Sequence, residues 1–147
     1  MLLGLSDAVR PLRMIALAKR YHEAECIDFA SVDQFDSRPS GTAGLSLKEA
    51  HRLLRPAGVR ISLLPGNSHE ALARAANTLH GFEFVVISAN QSAESLSRAW
   101  FSLHRLLSPQ AVVVREEISA EQRLLKTISR SELDRLAIAA APHRRAA

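Results

Sequence analysis

Residues 82–87, FEFVVI, form a short run rich in aromatic and β-branched side chains. Such a run is typical of a strand buried in a sheet that helices cover on both faces. Strand patterns also occur on either side of this run along the chain. They predict further strands at residues 2–5, 26–33, 59–64 and 111–114, and a less regular sixth strand that includes Leu124, Leu125 and Ile128.

Helical apolar spacing occurs between these strands. The predicted helices begin after Ser6 or Asp7, from Ser46, after Asn67 or Ser68, at about Ser92, and at Leu133 after a capping box formed by Ser129 and Glu132. Ser108 and Pro109 are predicted to end the fourth helix. This alternation predicts an α/β fold: a doubly wound, mostly parallel sheet of five to six strands with helices on both faces, which is Rossmann-like.

The size and composition suit a soluble chain with one core. The 147 residues are 47% apolar, which predicts a single domain over residues 1–141, followed by a frayed tail at residues 142–147. Lys and Arg outnumber Asp and Glu by 19 to 15, but they are scattered, which argues against a nucleic-acid patch. The apolar runs are too short for a membrane span.

The cysteine and histidine content limits the chemistry. Cys26 is the single cysteine, which excludes an intramolecular disulfide, fits a cytoplasmic location and is expected to pack as a small buried hydrophobe. The six histidines lie mostly in separate predicted helices without metal-ligand spacing, so we expect no metal site.

Ligands of such sheets bind beyond the carboxyl ends of the strands, where the strand order reverses. The segments at these ends are residues 4–7, 33–36, 65–68 and 88–91. Asp33, at the end of the second strand, is placed to accept hydrogen bonds from the two hydroxyls of a ribose. A solvated turn aspartate is the alternative interpretation, and the sequence leaves both open.

Residues 49–68, 82–90 and 106–114 together look like the middle and end of small class I S-adenosylmethionine-dependent methyltransferase domains. Those domains have a helix, a strand ending in a Gly-Asp-Ser or similar turn, a strand of the form Phe-Asp-Phe-Val-Phe-Ile-Asp, and a helix ending in Leu-Leu-x-Pro-Gly-Gly. The resemblance covers roughly residues 1–117. It implies S-adenosylmethionine as the cofactor and a substrate of unknown identity.

The resemblance also implies roles for individual residues. Asp33 would hold the ribose, Asn67 and Ser68 would lie beside the adenine, Ser88 and Asn90 would face the methionine or substrate side, and Gly4 and Asp7 would form the cofactor loop. The sequence departs from the family pattern at three places. Residues 4–7 replace its glycine-rich loop, and Asn67 and Ser88 replace two carboxylates. No residue identifies itself as a catalytic base.

Two hypotheses follow for the function. In the first, the chain binds S-adenosylmethionine in a pocket containing Asp33 and acts as a methyltransferase on a small-molecule or other substrate. In the second, it is a non-catalytic Rossmann-like module for interaction with a partner protein or for homo-oligomerisation. The second hypothesis predicts that residues 4–7, Asn67 and Ser88 close over the cavity.

Overall fold

The computed structural model of the chain describes residues 1–119 and 122–141. The strands in these residues are β1 (Leu2–Leu3), β2 (Asp28–Asp33), β3 (Arg60–Pro65), β4 (Phe82–Ile87), β5 (Leu107–Ser119) and β6 (Gln122–Ile128). The helices are α1 (Val9–Ala18), α2 (Leu47–Leu54), α3 (Ser68–Ala75), α4 (Ala93–Leu106) and α5 (Arg130–Ala139). The predicted tail at residues 142–147 lies outside the described residues.

The strands form one sheet in the order β3-β2-β1-β4-β5-β6. β1 to β5 run parallel, and β6 is antiparallel to β5. The strand order therefore reverses between β1 and β4, where Leu2 lies between Ser31 and Val86. This arrangement confirms the predicted doubly wound, mostly parallel sheet.

Each face of the sheet has its own apolar layer. Side chains of α3, α4 and α5 pack on one face, around Leu72, Leu103 and Leu133, and side chains of α1 and α2 pack on the other, around Ile15 and Leu54. Although β1 is only two residues long, its two leucines are at most 1% exposed, because one contributes to each layer. No helix in the described residues is long and apolar enough to cross a bilayer.

The fourth helix ends next to Ser108 and Pro109, as the sequence predicts, but the strand after it begins earlier than the predicted residue 111. α4 stops at Leu106, and β5 begins at once and continues through Ser108 and Pro109. The pairing of β4 with β5 shifts register here, since Phe82 faces Leu107 while Phe84 already faces Val112. Proline has no amide for the ladder and is tolerated in a strand at such an irregularity, which explains why β5 includes Pro109 instead of starting after it.

Two smaller predictions are also corrected. Cys26 is exposed rather than buried, because it lies in a short 3₁₀ turn ahead of β2 and not within the strand. The last helix begins at Arg130 rather than Leu133, with Ser129 as its N-cap accepting a 3.3 Å hydrogen bond from the amide of Glu132. The capping pair therefore marks the first turn of the helix and does not precede it.

The layer beneath α4 should be the main source of stability. Leu103 is 0% exposed, so Leu103→Ala should lower the free energy of unfolding by about 2–5 kcal/mol, through lost burial and a residual cavity. Urea denaturation followed by far-ultraviolet circular dichroism measures this loss. Leu12→Ala, at a leucine that is 37% exposed, is the control and should cost far less; equal losses would contradict the assigned core.

Candidate functional site

The carboxyl ends of β1, β2 and β4 meet at one edge of the sheet, as the sequence predicts. The amide of Gly4, directly after β1, donates a 2.8 Å hydrogen bond to the carbonyl of Val32 in β2. On the other side of β1, the amide of Ser88 donates a 2.9 Å hydrogen bond to the carbonyl of Leu3. Gly4, Asp33, Ser88 and the adjoining loops therefore lie at the switch point of the sheet.

The Asp33 carboxylate is buried and engaged on both oxygens. Its side chain is 6% exposed. Oδ2 accepts a 2.6 Å hydrogen bond from the amide of Leu5, and Oδ1 accepts a 3.1 Å hydrogen bond from the amide of Phe35. Oδ1 also lies 2.5 Å from Nη2 of Arg38. The residue predicted to hold a ribose is thus bound by the protein itself.

Arg38 connects the loops around Asp33. Its side chain is 12% exposed, and it donates a 2.7 Å hydrogen bond to the carbonyl of Leu45 and a 2.9 Å hydrogen bond to that of Leu5. Gly44 packs directly on the guanidinium, where a Cβ would collide. Arg38 was not predicted as a site residue, because it lies in a breaker-rich loop without periodicity and nothing in that pattern pairs it with Asp33.

The loops after β1 and β4 pack against each other at the switch point. Ser88 Oγ donates a 3.0 Å hydrogen bond to the carbonyl of Gly4. Gly4 has a φ of +93°, and a Cβ there would collide with the side chains of Asn90 and Gln91. Glycine is needed at this position for its left-handed backbone, and the space in front of it is occupied by these two side chains.

Three further predicted site residues have structural partners. Asn67 is the N-cap of α3 and accepts a 3.0 Å hydrogen bond from an amide in the first turn. Ser68 is 2% exposed and hydrogen-bonds to the side chain of Gln91. Asp7 accepts a 2.7 Å hydrogen bond from the first amide of α1. These contacts give each of the three residues a structural role. That any of them contacts a cofactor remains a prediction.

Glu116 is a second buried carboxylate near this edge. It is 5% exposed and accepts hydrogen bonds of 2.6 and 3.2 Å from Arg10, 3.1 Å from the amide of Ala89 and 3.3 Å from Arg123. Arg10 also donates a 3.0 Å hydrogen bond to Ser88 Oγ. The network ties α1 to β5 across the end of β4. A scan of every strand end, including that of β5, would have identified Glu116.

The electrostatics of Glu116 favour its ionised form. The hydrogen bond from Arg10 lowers the pKa of the Glu116 carboxyl below its usual value and outweighs burial, which acts in the opposite direction. The amide of Ala89 and the charge of Arg123 add to the lowering. Among the residues that the structure describes, no three His, Cys, Asp or Glu side chains converge as metal ligands.

The lowered pKa predicts a pH-dependent stabilisation. Because the pKa is lower in the folded state, the stabilisation is present above the usual pKa of glutamate and is lost as the pH falls through the folded value. Glu116→Gln should lower the free energy of unfolding at pH 7 by about 1.5–3 kcal/mol, with the difference from the unmodified protein shrinking in acid. Glu117→Gln, at the exposed neighbour, is the matched control. Urea titrations across pH measure both, and a loss that does not depend on pH would contradict the assignment.

Comparison with known proteins gives one distant likeness. No protein-family model matches the chain, and no curated protein sequence matches it. Among solved structures, the chain is similar to precorrin 8W decarboxylase from Methanobacterium thermoautotrophicum, with 15% sequence identity and a TM-score of 0.48. The similarity covers 82% of this chain and 55% of that protein, so the chain spans about half of its length. The likeness concerns the fold.

Proposed function

We propose that this chain is a non-catalytic Rossmann-like interaction module, in which the chain's own side chains occupy the nucleoside position of the sheet. The observation that carries the proposal is the engagement of both Asp33 oxygens by Leu5, Phe35 and Arg38. Ribose recognition at the end of a second strand needs a carboxylate whose oxygens can accept from hydroxyl groups. Asp33 accepts from the protein instead.

The energetic cost of releasing Asp33 supports this interpretation. A ribose could reach the carboxylate only if Arg38 moved away and left its bonds to the carbonyls of Leu5 and Leu45. Breaking a buried ion pair costs about 3–5 kcal/mol. Since about 1.4 kcal/mol is a factor of ten in affinity, binding would weaken by roughly 140- to 3,700-fold. A micromolar nucleoside site would become a millimolar one.

The loops after β1 and β4, on the other side of the switch point from Asp33, give independent support. A cofactor at the switch point must come close to the backbone after the first strand. Glycine permits this because it has no Cβ, provided that no other side chain fills the space in front of it. Here Asn90 and Gln91 lie against Gly4, and Ser88 joins the two loops through its hydrogen bond to the Gly4 carbonyl. The positions that the methyltransferase resemblance assigns to the cofactor are therefore packed against one another.

An interaction role also agrees with the protein surface. Large apolar side chains are exposed at several positions. Leu17 and Tyr21 line one hollow together with Phe84, and Ile118 and Leu125 lie on the β5–β6 hairpin. Exposed apolar groups that cluster are typical of binding surfaces for other proteins. The sheet supplies a rigid support for such a surface without requiring a reaction at its carboxyl edge.

Isothermal titration with S-adenosylmethionine and S-adenosylhomocysteine tests the proposal. We expect no saturable heat with either ligand up to about 1 mM, because both sides of the switch point are occupied. Micromolar binding that is lost in Asp33→Asn and retained in Asp36→Asn would contradict the proposal and favour the methyltransferase hypothesis. Asp36 is the matched control, since it lies in the same turn and is exposed. Circular dichroism of each variant checks that it is folded.

A further inference from the structure

The two helix layers of the fold differ in charge. The segments of the α1–α2 layer, residues 8–22 and 46–58, contain seven lysines and arginines and a single acidic residue, Glu49. The helices of the other layer, α3, α4 and α5, contain five arginines and four acidic residues. The basic residues are scattered along the sequence, but the fold collects a net positive charge on one of its faces.

Most of the cations on this layer have no partner within the protein. Arg10 binds Glu116, whereas the other six are exposed and form no ion pair among the residues that the structure describes. The end of α1 meets the end of α2, because a Cβ on Gly58 would lie 3.9 Å from Nζ of Lys19, and the Gly58 amide donates a hydrogen bond to the carbonyl of Arg55. The six cations thus belong to one surface, here called the basic face: Arg13, Lys19, Arg20, Lys48, Arg52 and Arg55.

The outward side of α1 carries apolar side chains among these cations. Pro11 and Ile15 are buried, and Ile15 packs in the apolar layer on the sheet, so the opposite side of the helix faces solvent. The helical period places aliphatic and basic residues together on that side: Val9, Leu12, Arg13 and Leu17. Val9 and Leu17 are each 55% exposed, and Leu12 is 37% exposed. The basic face therefore offers apolar surface as well as positive charge.

We infer that the basic face binds the surface of an anionic lipid bilayer. Guanidinium groups bind phosphates through paired hydrogen bonds, so lipid headgroups supply the negative charge that this face lacks. The aliphatic side chains can enter the boundary between headgroups and acyl chains, while the long basic side chains keep their charged ends among the phosphates. This inference goes beyond the proposed function, because it concerns the α1–α2 layer and not the carboxyl edge of the sheet.

The mixture of aliphatic and basic residues favours a lipid surface over a nucleic acid or a protein. A phosphodiester backbone would pair with the arginines but leave Val9 and Leu17 without a partner, and Tyr21 is the single aromatic residue in these segments for base stacking. A protein would have to place a carboxylate opposite each buried arginine, because an unpaired charge is costly in a dry interface. Lipid headgroups are mobile and adjust to the spacing of the cations.

Co-sedimentation of the full chain with lipid vesicles tests the inference. We expect binding to vesicles of phosphatidylcholine and phosphatidylserine in equal parts, weaker at higher salt, and no binding to phosphatidylcholine alone. Arg13→Gln combined with Arg52→Gln should weaken binding at least about tenfold, since each basic residue near an anionic surface contributes about fivefold. Arg98→Gln combined with Arg105→Gln is the matched control, because it removes the same charge from exposed positions on α4, and it should change the affinity less than about twofold. No binding to the anionic vesicles, or equal losses in the two double variants, would overturn the inference.

Leu17→Gln separates a lipid surface from a nucleic acid. We expect this variant to bind the anionic vesicles at least about threefold more weakly, because a side chain that enters the bilayer becomes polar. Ile138→Gln, at an isoleucine of α5 that is 77% exposed, is the matched control and should bind them as the unmodified chain does. Tighter binding to duplex DNA of random sequence than to the vesicles, with no effect of Leu17→Gln on either, would overturn the inference in favour of a nucleic acid. Circular dichroism checks that every variant is folded.

Discussion

The carboxylate of Asp33 is the group on which the arrangement of the carboxyl edge depends. It lies at the end of β2, and it holds the loop after β1 through Leu5, its own turn through Phe35, and the loop that leads to α2 through Arg38. A buried carboxylate is costly unless it is paired and hydrogen-bonded. Moving any of these segments away would remove a partner of Asp33 and destabilise the fold, so the carboxylate fixes them together. The position that could receive a nucleoside is used to hold three loops.

Glu116 has a corresponding role on the other side of the switch point. Through Arg10 it joins α1 to β5, and the same arginine reaches Ser88 at the end of β4. Charged networks thus join the loops on both sides of β1, at the edge where ligands bind in sheets of this kind. The sheet does not need a crevice there to be stable, because its two apolar layers lie beneath the edge. The fold therefore does not depend on a ligand at this edge.

Patterns within single segments were enough to predict most of the architecture. The FEFVVI run became β4, and Asn67 and Ser129 cap the helices they were expected to cap. The strand at Pro109 was missed, because whether proline interrupts a strand depends on the pairing partner, which the local sequence does not contain. The same limit applies to the antiparallel direction of β6.

The candidate site was predictable only in part, for the same physical reason. Position along the sheet located Asp33, Ser88 and Gly4 at one edge, since strand ends meet there in any doubly wound fold. Whether the Asp33 carboxylate is free depends on Arg38, and the contact between the two side chains is visible only in the folded structure. The sequence gives the number of residues between Asp33 and Arg38, whereas their ion pair depends on the path that the loop between these two residues follows.

A double-mutant cycle between Asp33 and Arg38 tests the central claim most directly. Asp33→Asn, Arg38→Met and the double variant would be compared with the unmodified chain by urea denaturation at neutral pH. If Arg38 holds the Asp33 carboxylate in the folded protein, the two residues should show a coupling free energy of about 1.5–3 kcal/mol. A coupling below about 0.3 kcal/mol would mean that the carboxylate is free of Arg38 in solution, and it would contradict the closed edge described above.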